Sequence, residues 1–231
     1  MGCGGRASPY RRVHSDAWSY LLGELRPDVS LVQEALLIKL SEAREDHAVT
    51  VCDLTAGVEA GTAILSPGDR REATANLSVR PDTTYAVTAD VRTPVGLLTV
   101  ASVHVFPGKY LHADLHRLIV LLRELSVGRP VLVGGDFNAS RRFDEVYGGR
   151  RHEVFFSAMA SAGLHDVHWA IHRQEVQSFW GRQAQREYQL DHFFISSEWA
   201  HRVRSCNIVD DDIVRRLSDH APMLLDLDVA E

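Results

Sequence analysis

The sequence lacks a cysteine framework. Its 231 residues contain only three cysteines, Cys3, Cys52 and Cys206, an odd number without the spacing of a metal or redox motif. A disulfide joins two cysteines, and disulfides are rare in reducing compartments. We therefore expect none in this chain. This low cysteine content favours a cytoplasmic protein.

The sequence also lacks a long hydrophobic run. No apolar stretch approaches the roughly 18 residues of a membrane-spanning helix, and the first residues do not form the apolar core of a secretory signal. We therefore expect no transmembrane segment and a cytoplasmic location. No feature of the sequence predicts a protein partner or an oligomeric state.

Positive charge is scarce as well, since the formal net charge is −6. This balance argues against a protein that coats nucleic acid without specificity, because that affinity comes from Lys and Arg side chains that release counterions. It leaves room for an enzyme with a local basic rim. The arginines from Arg141 to Arg151 follow the Gly-Asp-Phe-Asn motif and are candidates for contact with a polyanion, with plain solvated surface as the alternative.

The remaining composition is that of an ordinary globular protein, with 45% hydrophobic and 24% charged residues. A chain of this length buries about 70% of its unfolded surface, so it needs no metal merely to stay folded. Any bound metal would therefore have a catalytic role and not a structural one. No repeat or linker interrupts the chain, and we predict one domain over residues 1–231.

Hydrophobic periodicity predicts both helices and strands. Apolar residues recur at helical spacing from His14 to Leu25, from Leu111 to Leu125 and near Val154 to Ala162. The polar stretch from Ser140 to His152 and the histidine-rich stretch from His165 to His172 read as loops. Short apolar runs predict strands at Val29–Gln33, Ala48–Cys52, Thr62–Leu65, Thr84–Val91, Leu97–Val105, Val131–Val133, Leu190–Ser196, Val203–Val209 and Met223–Leu227. Helices between groups of short strands imply a layered α/β architecture.

The most specific motif is Gly135-Asp136-Phe137-Asn138, which begins where the predicted strand Val131–Val133 ends. Four specified residues occur by chance in such a chain with a probability on the order of one in a thousand. The alternative explanation is a Gly-Asp turn closed by a hydrogen bond from the Asp side chain. Other acidic residues at the ends of apolar runs favour a functional site instead.

Three further carboxylates lie at such ends. Glu34 follows the first predicted strand, Asp191 follows Leu190, and Asp219 precedes His220 and the final strand. Each could also cap a turn. A hard cation such as Mg²⁺ takes oxygen ligands and keeps several waters, so one or two carboxylates suffice to bind it. The set therefore predicts Mg²⁺, with Mn²⁺ as the alternative ion.

Six short segments follow one another along the chain: Ser30–Glu34, Gly61–Ser66, Ser102–His104, Gly135–Asn138, Leu190–His192 and Leu217–His220. In this order they resemble the motif series of the endonuclease/exonuclease/phosphatase family, and the resemblance extends from about Trp18 to the C-terminus. The resemblance implies a four-layer α/β/β/α sandwich, with two mainly antiparallel sheets packed face to face. It also implies cleavage of phosphate esters by in-line attack of water.

The resemblance also implies a role for each residue. Glu34 would be the principal metal ligand and Asp219 would assist it. Asp136 and Asn138 would orient the attacking water, and Asp136 would accept its proton. His220 would contact the scissile phosphate. Asp191 would accept a hydrogen bond from the other ring nitrogen of His220. His104 would lie on the opposite side of the phosphate, as a hydrogen-bond donor or general acid.

This assignment meets the physical demands of the reaction. A phosphate diester repels a nucleophile, so a catalyst must neutralise its oxygens, align a water and stabilise the leaving group. A metal, a carboxylate and a cationic imidazole meet these needs, and pairing with Asp191 favours the cationic form of His220.

The sequence departs from the family at its N-terminus. Family members begin with a strand that ends in an Asn and helps to hold the metal, whereas only Met1 to Pro9 precede the Tyr10–Arg12 stretch here. Gly2 to Gly5 make a poor strand. Our hypothesis is that the strand is encoded upstream of Met1.

Substrate and activity leave alternatives open. Nucleic acid is the favoured substrate because of the nearby arginines, and a lipid or inositol phosphoester is the alternative within the same family. A third interpretation, based on the N-terminal departure, is an inactive binding module. His112 and His116 have the spacing of a zinc pair, but no third ligand is evident and we do not expect zinc there.

Overall fold

The computed structural model describes residues 16–36, 47–52, 60–67, 71–80, 84–180 and 187–230. The hypothesis of an upstream strand concerns a region outside these residues and stays a prediction. Within the described ranges, no helix is long and apolar enough to cross a bilayer.

The strands form three sheets among these residues. Six strands make the largest sheet, in the order β4-β5-β6-β7-β9-β8, and the smaller sheets have the orders β1-β3-β2 and β10-β11. All pairs in the large sheet are antiparallel except β6 with β7, which is parallel. The strands are β1 (Ser30–Leu36), β2 (His47–Cys52), β3 (Ala60–Pro67), β4 (Arg71–Arg80), β5 (Thr84–Thr93), β6 (Gly96–Val105), β7 (Val131–Asp136), β8 (Leu164–Asp166), β9 (Asp191–Ser196), β10 (Val203–Ile208) and β11 (Met223–Leu227).

Helices flank these sheets. Residues 16–19 are α-helical and continue into a π-helix over Tyr20–Leu25, and we call this segment the N-terminal helix. It packs through Trp18 and Leu22 against the three-stranded sheet. The later α-helices are α1 (Leu111–Leu125), α2 (Arg141–Tyr147), α3 (Arg151–Ser161), α4 (Val167–His172) and α5 (Val214–Leu217), with a 3₁₀ turn at Ala200–Arg202.

Side chains of the large sheet alternate between its two faces, and each face contributes to a separate hydrophobic core. On β6, Val103 and Val105 face α1 and α3, whereas Leu98 and Val100 face the smaller sheets. Successive strand residues point to opposite faces, so a strand apolar on both faces must be covered on both. Helices α1 and α3 therefore cover one face, and the two smaller sheets pack on the other.

This arrangement confirms the α/β class and its mixed central sheet. The second sheet layer consists of two separate small sheets among the described residues. Helix α1 and strand β11 have the predicted bounds.

Three sequence-based assignments were wrong or missing. Strand β4 was not predicted, because Arg71–Arg80 carries polar residues in place of an apolar run. The predicted loop after Ser140 contains α2, which begins where the Ser140 side chain accepts a hydrogen bond from Arg142 N. The predicted histidine-rich loop contains β8 and α4, with Asp166 capping α4 through Trp169 N.

Two glycines in β7 allow the sheets to pack closely. A Cβ atom at Gly134 would overlap the ring of Phe193 and lie 2.8 Å from a methyl of Leu31 in the facing sheet. At Gly135, where φ is +142°, a Cβ would overlap the Val103 carbonyl oxygen and come within 2.9 Å of Gln33 Nε2. This close approach brings β1 against the end of β7, where the acidic motif begins.

Replacing Gly135 with alanine should therefore destabilise the protein more than the same change at Gly96. Both glycines have positive φ, but a Cβ at Gly96 would meet nothing within 4 Å. We expect Gly135→Ala to lower the free energy of unfolding by roughly 2 to 4 kcal/mol, and Gly96→Ala by about 1 kcal/mol. Urea denaturation measures both values. Equal losses would contradict the proposed close packing.

Candidate active site

Three strand ends bring ionisable side chains into one row across the large sheet. Asp136, at the end of β7, is the register partner of His104 on β6 and of Asp191 on β9. Neighbouring strands lie about 4.8 Å apart. The three groups are therefore close in space although 87 positions separate the first from the last in the sequence.

A tight turn fixes the central carboxylate. Asn138 adopts φ of 47°, in the left-handed region, and its backbone N–H donates to Asp136 Oδ1 at 2.8 Å. The Asn138 side-chain Nδ2 donates to Asp136 Oδ2 and to the Val105 carbonyl, each at 2.9 Å. Asn accepts this backbone conformation more readily than most residues. The turn thus orients Asp136 while tying it to the end of β6.

Asp136 lies between two imidazole rings. Its Oδ2 is 3.7 Å from His104 Nε2 and 4.0 Å from His220 Nε2. Burial raises the pKa of Asp136 to about 7, and Asp191 adds to the rise while His220 opposes it. A carboxylate with such a pKa can exchange a proton near neutral pH.

His220 is held by the second carboxylate of the row. Its Nδ1 donates to Asp191 Oδ2 at 2.9 Å, so the pairing implied by the family resemblance is present. Burial alone would lower the pKa of His220, but Asp191 raises it to about 9, with smaller contributions from Asp136 and Asp219. The ring is therefore cationic at neutral pH, with Nε2 directed toward Asp136.

His104 has the opposite character. Burial, with a smaller contribution from the positive charge of His220, lowers its pKa to about 4. Its ring packs against Phe106 at a centroid distance of 4.3 Å. His104 is therefore neutral near pH 7 and can donate a hydrogen bond but does not carry a positive charge.

The other two predicted residues line the same cleft. The cleft has a volume of about 320 Å³, and its lining includes Glu34 and Asp219 together with His104, Asp136, Asp191 and His220. Glu34 is exposed, with φ of 52° at an irregularity of β1, and it contributes to the raised pKa of Asp136. The N-terminal helix and β11 form the apolar side of the cleft.

The metal-binding residues stay a prediction, and the surroundings of Glu34 and Asp219 show whether their oxygens are available to a cation. No hydrogen bond or ion pair involves the carboxylates of Glu34 and Asp219 within the residues that the structure describes. Across those residues, no group of three or more His, Cys, Asp or Glu is already arranged around a metal position. A cation that keeps most of its waters requires only one or two carboxylates, so the oxygen donors still fit Mg²⁺.

Sequence reasoning missed two contributors from the segment before β9. Ser178 donates to Asp191 Oδ2 at 2.6 Å and accepts from the Leu190 N–H at 2.9 Å, which anchors the carboxylate that holds His220. The Phe179 ring lies 4.8 Å from the His220 ring. Neither residue lies in a recognisable motif, so only the folded structure brings them to the site.

One of the arginines considered for contact with a polyanion, Arg141, is held by groups of the protein itself. Its guanidinium donates to Asp166 at 2.8 Å and stacks on Phe156 and Trp169, at 3.6 and 4.3 Å from their ring centroids. Burial alone would raise the pKa of Asp166, but His192 and Arg141 lower it to about 2. The Arg141 charge is thus satisfied inside the protein, behind the site.

A sequence profile of the Endonuclease/Exonuclease/phosphatase family matches residues 3–220. The chain belongs to this family. Family membership establishes phosphoester hydrolysis as its class of reaction. No curated protein sequence gives a significant match to this family member.

Solved structures share its fold. An endonuclease/exonuclease/phosphatase from Bacteroides vulgatus is 19% identical with a TM-score of 0.70, over 95% of this chain and 91% of that one. The 3′ phosphatase NExo from Neisseria, bound to a product DNA hairpin, is 18% identical with a TM-score of 0.72, over 94% and 95%. An AP endonuclease from Archaeoglobus fulgidus is 18% identical with a TM-score of 0.71, over 94% and 95%.

We predict that the charge of His220 depends on Asp191. In chelator-treated protein, side-chain NMR should show His220 titrating at about 9, and Asp191→Asn should lower this pKa. The folded pKa lies above the unfolded value of about 6.5, so the ion pair stabilises the protein fully below about pH 6.5 and is lost as pH rises through about 9. Asp226→Asn, an exposed carboxylate on β11, is the control. An unchanged His220 titration in Asp191→Asn would contradict the assignment.

Proposed function

We propose that this family member is a Mg²⁺-dependent phosphodiesterase that cleaves nucleic acid by in-line attack of water, with Mn²⁺ as an alternative ion. The observation that carries the proposal is a buried carboxylate, Asp136, set between a cationic and a neutral imidazole in an open cleft. Such a site offers a proton acceptor beside two donors to phosphoryl oxygens.

Glu34 is the proposed principal metal ligand, and Asp219 assists directly or through water. Support comes from their position in the cleft and from the absence of other partners for these carboxylates within the described ranges. When bound, the metal would neutralise charge on the phosphate.

The protein groups then divide the remaining chemistry. Asp136 accepts a proton from the attacking water, and Asn138 holds that carboxylate in position. His220 donates from Nε2 to a phosphoryl oxygen while Asp191 keeps the ring charged. The lowered pKa of His104 favours a role as neutral hydrogen-bond donor over that of general acid.

Nucleic acid is the substrate we favour over a lipid or inositol phosphoester. The Neisseria relative was solved with a DNA product, and that relative shares the fold at a TM-score of 0.72. Exposed arginines that follow the Asp136 motif in sequence, such as Arg151, add to this preference.

Substitution of Glu34 tests the proposed metal site. With Mg²⁺, the protein should hydrolyse plasmid, single-stranded DNA and bis(p-nitrophenyl) phosphate, and chelator should abolish each activity. Glu34→Gln should lower kcat on the order of 100-fold or more and raise the Mg²⁺ concentration needed for half-maximal rate. The matched control is Glu124→Gln, which changes an exposed carboxylate on α1.

Three results would count against the proposal. Turnover insensitive to chelator would exclude the metal mechanism. A complete lack of turnover by the correctly folded protein would support the binding module. Preference for phosphoinositide or sphingomyelin over every nucleic acid would favour the alternative substrate class.

A further inference from the structure

A second cavity lies on the opposite side of the large sheet from the smaller sheets, between helices α1 and α3. We call it the basic groove. It has a volume of about 570 Å³. Its ionisable lining residues are all Lys, Arg or His, and no acidic residue lines it. Those residues are Lys109, His112, His116, Arg150 and Arg151, above a floor that includes Leu115, Ile119 and Phe155.

The charges of the groove are only partly compensated. Arg150 pairs with Glu153 at 2.7 Å, whereas Arg151 has no ion pair within the described part of the chain. Burial lowers the pKa of His112 and the nearby charge of Arg151 lowers it further, while Asp144 opposes this change. Lys109, Arg150 and Arg151 bring positive charge together here, in a protein whose net charge is −6. A bound anion would relieve their mutual repulsion.

The groove begins close to the candidate active site. Lys109 follows His104 by five residues, which limits the distance between their Cα atoms to about 18 Å. Arg150 and Arg151 follow α2, the helix that begins directly after the Asn138 turn. Two chain segments that leave the site thus supply the basic residues of the groove, and Lys109 lies at the end nearer to the site.

The lining also suits unpaired bases. The floor is apolar, Val154 is 62% exposed, and the Tyr110 ring at the rim carries the Lys109 ammonium 4.6 Å from its centroid. Basic side chains that follow a backbone, beside apolar and aromatic surface for the bases, are the elements of single-strand binding sites. A duplex hides its bases, so it would use the charges but not the floor.

We propose that the basic groove binds single-stranded nucleic acid flanking the scissile phosphate. This inference rests on the proposed function for its connection to catalysis, but binding can be measured without catalysis. Lys109 and Arg151 contact phosphates, and the exposed apolar side chain of Val154 contacts bases.

The test is fluorescence anisotropy with a labelled single-stranded oligonucleotide of about 12 nucleotides in chelator, over a range of salt concentrations. The double variant Lys109→Ala/Arg151→Ala should bind about tenfold more weakly and lose roughly 1.4 from the salt slope, about 0.7 for each contact. Arg123→Ala, an exposed arginine on α1 outside the groove, is the control and should bind like wild type.

A second matched pair tests the floor. Val154→Ser removes apolar surface from the groove without adding a charge, and Val127→Ser makes the same change at a residue that is 77% exposed and does not line the groove. Only the first should weaken binding. A 12-base-pair duplex should bind more weakly than the single strand, with roughly equal effects of both valine variants.

The assays distinguish a failure of the groove proposal from a failure of the proposed function. Bis(p-nitrophenyl) phosphate is too short to reach the groove, so its hydrolysis reports on the site alone. Equal binding by the groove variants and their controls would overturn the groove proposal while the proposed function stands. Stronger binding of duplex than of single strand would also overturn it. Loss of binding in the groove variants would support it even if no phosphodiester were cleaved.

Discussion

The parallel pairing of β6 with β7 is the constraint on which the candidate site depends. Because the two strands run in the same direction, their ends meet at one edge of the sheet, and β9 begins beside them. His104, Asp136 and Asp191 therefore stand in one row. The Asn138 turn and the glycines of β7 then set the orientation of the central carboxylate and its distance from β1.

Burial and neighbouring charges give the two histidines of the site very different pKa values. Two imidazoles lie within 4.0 Å of the same carboxylate oxygen, yet one has a pKa of about 9 and the other of about 4. The difference arises because His220 is hydrogen-bonded to Asp191, whereas burial and the charge on His220 lower the pKa of His104 more than Asp191 raises it. The site thus contains a cation, a neutral donor and an acid with a pKa near 7.

Much of this could be predicted from the sequence, because the relevant signals are local. Strand ends carry Asp136 and Asp191, helical periodicity defines α1, and the motif order indicates the family. Other features depend on contacts between distant segments. Nothing near Ser178 marks it as the anchor of Asp191, and the position of Arg141 beside the motif suggested a ligand contact where the fold instead buries its charge against Asp166. The basic groove likewise arises only when α1 and α3 pack together.

A double-mutant cycle tests most directly whether these residues act as one unit. The rates of bis(p-nitrophenyl) phosphate hydrolysis would be compared for wild type, Asp136→Asn, His220→Asn and the double variant, at saturating Mg²⁺. Groups that serve the same step are strongly non-additive, so the double variant should be no more than about threefold slower than the slower single variant. Losses that multiply would contradict a shared site and would mean that Asp136 and His220 contribute independently.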